Sequence, residues 1–154
     1  QGVQANLVIV GKSGWNTEAL VQQLRQHPEN GQRLFWLEGI NDAYLEAVSA
    51  ASTCLIAASH CEGFGLPLIE AARYRLPILA RATPVFREVA GEHAAYFDGT
   101  APHELASAIE RWLVLHASGQ HPRSDAMPWQ TWAQSAQQLL QHLLPPERTE
   151  LPVQ

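Results

Sequence analysis

Lysine is almost absent from this chain: of ten basic residues nine are Arg, and Lys12 is the only Lys. The arginines form no run, and acidic residues outnumber basic ones by fifteen to ten, leaving a formal net charge of −5. No electrostatic footprint for a nucleic-acid backbone exists, so nucleic acid is excluded as an expected partner. Charged residues of both signs are scarce as well, 16% against 46% hydrophobic. Disordered chains show the opposite balance. Long apolar runs are missing: residues 7–10 and 54–58 are short, whereas about 18 apolar residues are needed to cross a bilayer. No signal-peptide pattern is visible. Cysteine is limited to Cys54 and Cys61, with no C-x-x-C and no His pair at ligand spacing. That is too few thiols for a disulfide-stapled fold, and a zinc site needs about four ligands, so no metal is expected. The pair reads as one core and one loop cysteine in a reduced intracellular chain.

What is present is an alternation of short apolar runs with amphipathic stretches. Strands are expected at residues 6–10, 33–37, 53–58, 77–80 and 95–97. Helices are expected at residues 16–26, 42–51, 66–74, 84–90, 102–117 and 129–144. Pro67 sits in a first helical turn, where its missing N–H costs nothing. Strands joined by helices imply parallel pairing through right-handed crossovers. Strands that are apolar throughout imply a sheet covered on both faces. The chain therefore reads as an α/β domain with a doubly wound, Rossmann-like parallel sheet, residues 1–144, followed by a mobile C-terminal tail, residues 145–154. Its 154 residues are the size of one domain. A ligand is expected at the carboxyl ends of the strands, where residues 11–14, 38–41, 59–65 and 81–83 emerge.

Two of these loops carry glycine. The turn Gly11-Lys12-Ser13-Gly14 can offer backbone N–H groups to an anion, but it matches neither G-x-G-x-x-G nor a Walker loop, and taken alone it is an ordinary strand-to-helix turn. The segment Glu62-Gly63-Phe64-Gly65-Leu66-Pro67-Leu68-Ile69-Glu70 says more. Gly63, Gly65 and Pro67 argue against one continuous helix, placing Glu62 in the loop and Glu70 about one turn inside the helix. Two carboxylates then flank a helix N-terminus that attracts phosphate. Carboxylates accept hydrogen bonds from hydroxyls, so a sugar and a ribose on either side of a diphosphate fit this spacing. An acidic helix cap accounts for Glu70 but not for Glu62, two glycines and Phe64 together. His60 reads as solvent-facing. Trp112, Trp129 and Trp132 read as packing residues, and Arg73 and Arg75 as complements to a helix C-terminus.

The Glu62 to Glu70 segment resembles the Glu-x7-Glu signature of the retaining, nucleotide-sugar-dependent glycosyltransferases with the GT-B fold, family 4 or group 1. Leu7-Val8-Ile9-Val10-Gly11-Lys12 with Gly14-Trp15, Trp36-Leu37-Glu38-Gly39 leading into Asn41-Asp42, and Pro84-Val85-Phe86-Arg87-Glu88-Val89 are similar too. The resemblance covers the chain to about Leu144 and corresponds to the C-terminal, donor-binding half of such enzymes. It implies that Glu62 is the catalytic carboxylate at the transferred hexose and that Glu70 binds the ribose hydroxyls. Gly63, Phe64, Gly65 and Leu66 would hold the sugar and diphosphate, Gly11 and Lys12 would line the cleft floor, and Trp36 to Ile40 would border the base, with Ile40 a donor contact.

The family's upstream Gly-x-x-x-x-Arg-Lys segment, which neutralises the leaving diphosphate, does not occur in this chain, and neither does an N-terminal acceptor-binding half. An excised domain that binds donor weakly and transfers little is the expectation. The implied partners are a nucleotide diphosphate sugar and the acceptor-binding domain, with no further cofactor. The implied activity is retaining hexose transfer, mannose from GDP-mannose being the guess from overall similarity, onto a glycan or lipid-linked acceptor in surface polysaccharide or O-antigen synthesis. A cytoplasmic location at the inner face of the membrane goes with it, the full-length enzyme touching that membrane peripherally. A nucleotide-sugar epimerase and a non-catalytic nucleotide-sugar-sensing module remain as alternatives.

Overall fold

A computed structural model describes residues 5–144. The segment 145–154, read above as a tail, lies outside the described residues. The elements run β1 (Leu7–Val10), α1 (Glu18–Gln26), β2 (Leu34–Leu37), α2 (Asp42–Ala51), β3 (Leu55–Ala57), α3 (Leu66–Arg73), β4 (Ile78–Arg81), α4 (Pro84–Ala90), β5 (Ala95–Phe97), α5 (Pro102–Ala117) and α6 (Trp132–Leu143). Short 3-10 turns lie at Gly91–His93 and Ser124–Ala126.

The fold is α/β and every strand pair is parallel. The strands form two sheets, β1–β2 and β3–β4–β5, with no ladder between them among the described residues. An apolar tetrapeptide specifies that a strand forms but not which neighbour approaches to the roughly 4.8 Å that a ladder requires. The consequence is local: Leu7, Val8 and Val10 of β1 are exposed, where a sheet covered on both faces had been expected.

The core is built on the triplet. Alternation along β4 sends Ile78 and Ala80 to one face, against Leu68, Ala71 and Ala72 of α3, Phe86 and Ala90 of α4, and Met127. It sends Leu79 to the other face, with Phe97, Ala108 and Trp112 of α5. Helices therefore cover both faces of this sheet, the doubly wound arrangement that the sequence pattern implied. The caps follow from side-chain chemistry: Tyr44 N–H donates to the Asn41 side chain over 2.9 Å at the start of α2, and Phe86 N–H to Thr83 Oγ1 over 3.3 Å at the start of α4.

The Ser/Gly/Pro-containing stretch before α6 packs as part of the body, because Ser124 is buried with its hydroxyl donating to the Leu76 carbonyl over 2.7 Å and Met127 enters the core. The last helix starts at Trp132, later than expected, because Thr131 and Gln134 form a reciprocal capping box. Trp112 packs in the core as expected, but Trp129 and Trp132 are exposed. Helical periodicity showed that α6 has an apolar stripe; it carried no information on whether a neighbour covers it.

Trp112 stacks on His116 with ring centroids 4.9 Å apart, and His116 meets His121 at 5.0 Å. Burial, then the neighbouring His116 and Arg123, hold His121 below its ordinary 6.5. The unfolded chain therefore binds a proton there at higher pH than the folded chain does. This contribution to stability is complete above 6.5 and is lost as pH falls through the lowered folded value. Urea midpoints are expected to drop between neutral pH and about pH 5, with a smaller drop in His121→Gln. An equal drop in both proteins would remove His121 as the cause.

Candidate functional site

The segment between β3 and α3 turns into its helix on a left-handed glycine. Gly65 adopts φ +76°, ψ 29° as the residue before α3, a left-handed conformation suited to glycine. A Cβ at that position would lie 3.5 Å from Phe86 Cδ1 and 3.5 Å from Val89 Cγ2. The loop therefore rests directly on α4. Pro67 falls in the first turn of α3, and Leu68 N–H returns to the Gly65 carbonyl at 3.0 Å.

Among the described residues, the amides of Gly63, Phe64, Gly65 and Leu66 donate to no protein acceptor. Four consecutive amides without a protein acceptor at the positive end of a helix dipole are the kind of arrangement that attracts an anion. Glu62 is half-buried in the loop and Glu70 is exposed on α3, one turn in, as its spacing implied. Phe64 and Leu66 are exposed beside them, as is His60.

The first glycine loop is arranged differently. Gly11 N–H bonds the Leu37 carbonyl at 3.1 Å, and Trp36 Nε1–H donates to the Gly11 carbonyl over 2.8 Å. Ser13 N–H donates to the Glu38 carboxylate over 3.1 Å, and Arg25 approaches the same carboxylate at 3.7 Å. One amide of the turn is thus committed to an acid of the protein itself. The sequence reading missed this role for Glu38, although parallel register foreshadows it: Val10 pairs with Leu37, so the residues that follow both strands emerge together. Lys12 is exposed, Ile40 is half-buried and Asn41 caps α2.

Each expected site residue lies at the carboxyl end of its strand or in the loop and first turns that follow. No hydrogen bond or ion pair among the described residues joins the Gly11 turn to the Glu62 loop. An open groove of about 480 Å³ runs along α1 past Ser13, Thr17 and Arg25, and neither Glu62 nor Glu70 lines it. Because the loop geometry, and not this groove, presents four free donors beside two carboxylates, the loop is the better candidate. No group of three metal-ligating side chains occurs among the described residues, and no described helix is long and apolar enough to cross a membrane. Burial raises the Cys54 thiol to about 12, while Cys61 is exposed, the core and loop pair expected.

The family described as glycosyl transferases group 1 matches residues 1–124. Among curated relatives, three Escherichia coli proteins named serotype-specific mannosyltransferase WbdA are each 52% identical over 143 residues. The match spans 93% of this chain and 18% of the first relative's length. Among solved structures, sucrose-phosphate synthase from Thermosynechococcus elongatus aligns with a TM-score of 0.67 at 24% identity, over 90% of this chain and 38% of that one. The pneumococcal O-GlcNAc transferase GtfA, solved with UDP and GlcNAc, aligns with a TM-score of 0.56 at 17% identity, over 75% of this chain and 23% of that one. At these identities the structural likeness speaks to the fold.

Proposed function

The chain belongs to the group 1 glycosyl transferases, and from that premise we propose that residues 1–144 bind the nucleotide diphosphate sugar for a retaining hexosyltransferase. The observation that carries the reading is the row of four unpartnered amides at the start of α3, bracketed by Glu62 and Glu70. Negative charge accumulates on the diphosphate as the glycosidic bond breaks. Fixed N–H donors and a helix N-terminus stabilise such charge without reorganising. Glu70 accepts from the ribose hydroxyls, and Glu62 lies at the hexose, where a carboxylate stabilises a positive ring or orients its hydroxyls. Gly11, Lys12 and Ile40 border the nucleotide from the neighbouring strand ends. The names of the curated relatives support mannose as the sugar and O-antigen-type polysaccharide as the product. The acceptor is held by a second domain, and the reaction takes place in the cytoplasm at the inner membrane face.

Calorimetric titration with UDP, GDP and their sugars tests this. Glu70→Ala is expected to weaken nucleotide and nucleotide sugar alike by about tenfold, the loss of charged hydrogen bonds to the ribose. Glu62→Ala is expected to weaken only the nucleotide sugar. Absence of binding at millimolar ligand, or an unchanged Glu70→Ala, would remove the donor site from Glu70. Binding that survives in an enzyme joined to its acceptor domain without transfer would instead favour a sensing module.

A further inference from the structure

Arg81, at the carboxyl end of the central strand β4, is a half-buried arginine that the donor-site reading leaves unused. Its Nε–H donates to the Ala58 carbonyl over 3.1 Å. Its guanidinium carbon lies 4.9 Å from the centre of the Phe97 ring. Its Nη1 is buried and has no hydrogen-bond partner, and the side chain makes no ion pair among the described residues. The nearest electrostatic partner is Glu104, whose carboxyl is held low in part by the Arg81 charge without an ion-pair contact, so a covered Nη1 with no acceptor still asks for a reason.

The backbone shows what it does. The β3–β4 ladder ends at the pair Ala57 and Ala80. Beyond it, Ala82 N–H turns to the Phe97 carbonyl at 2.9 Å, committing β4 to β5. The Arg81 side chain supplies the next rung toward β3, and it does so at Ala58, immediately before the segment that carries Glu62 and the free amides. The Phe97 ring holds the guanidinium by a cation–π contact.

We propose that Arg81 is a positioning residue for the donor loop: by holding the Ala58 carbonyl against the Phe97 face, it sets where residues 59–65 leave the sheet and so aligns the Gly63 to Leu66 amides. This rests on the donor-site reading. The test uses Arg81→Met, which keeps the stem, and Arg81→Lys, which keeps the charge but lacks the planar fork that bonds Ala58 while lying on Phe97. Amide spectra and nitrogen relaxation would be followed with UDP and GDP titrations. Both variants are expected to show shifted, more mobile amides at residues 59–66, near-native signals in Leu7–Val10 and Leu34–Leu37, and nucleotide affinity reduced by about tenfold.

Full affinity in Arg81→Lys would overturn the proposal, since charge alone would suffice. Spectral changes spread equally over all strands would also overturn it, because the role would be general stability. Unchanged affinity in both variants would do the same. If the unmodified chain binds neither nucleotide, the donor-site reading fails. If it binds and both variants match it, only the role of Arg81 fails.

Discussion

Replacing Phe86 by Ala is expected to cost about 3–5 kcal/mol of folding stability, measured as a lowered urea midpoint with little change in slope. The ring has 0% exposure and is among the largest fully buried side chains described. It sits in the first turn of α4, held there by Thr83, and packs with Leu68 of α3 and Ile78 of β4. Truncation removes its transfer free energy and leaves a cavity that two helices and a strand cannot collapse to fill. Because the ring supports the backbone at Gly65, the cavity opens directly under the donor loop. Nucleotide binding should weaken in the fraction that remains folded. A loss of less than about 1 kcal/mol would mean that the site relaxes freely.

Gly65→Val is expected to approach that loss by a different route. A non-glycine residue at φ +76° costs about 1–2 kcal/mol. A bare Cβ would meet Phe86 and Val89 at ordinary contact distance, so the two Val methyl groups must push into them, adding about 1–3 kcal/mol of overpacking. Gly65→Ala pays only the backbone strain and should be the milder variant. The two sites also test each other. Gly65→Val with Phe86→Ala should be less destabilising than the sum of the single changes, since the Val methyls enter space the ring has left. Additive losses would show that the loop and α4 are not in contact. The same variants should abolish the nucleotide response, because turning the Gly65 peptide misaligns the amides on either side of it.

Much of this was legible in the sequence. The boundaries of α2 and α4 and the five strands followed from apolar runs and from Pro, Gly and Asn punctuation, since such preferences act within a few residues. Glu62 and Glu70 were legible because glycine and proline between them fixed where the loop ended and the helix began. Glu38 and Arg81 were missed for one shared reason. Each bonds a backbone group just past the end of a neighbouring strand, at Ser13 and Ala58, which lie 25 and 23 residues away in sequence. Nothing in a local window marks such a partner; parallel register does.

The alternation of short apolar runs with amphipathic stretches determined by itself that this is an α/β chain, and the glycines and proline between Glu62 and Glu70 determined where the loop gives way to α3. Tertiary structure alone decided that the strands form a pair and a triplet, that the Ser13 amide is taken by Glu38, that the Gly63 to Leu66 amides are free, and that Arg81 stands at the root of their loop. Hydrogen-bond vacancies and ring contacts depend on which backbone ends are brought side by side. Composition and periodicity fix the elements, but only packing fixes their neighbours.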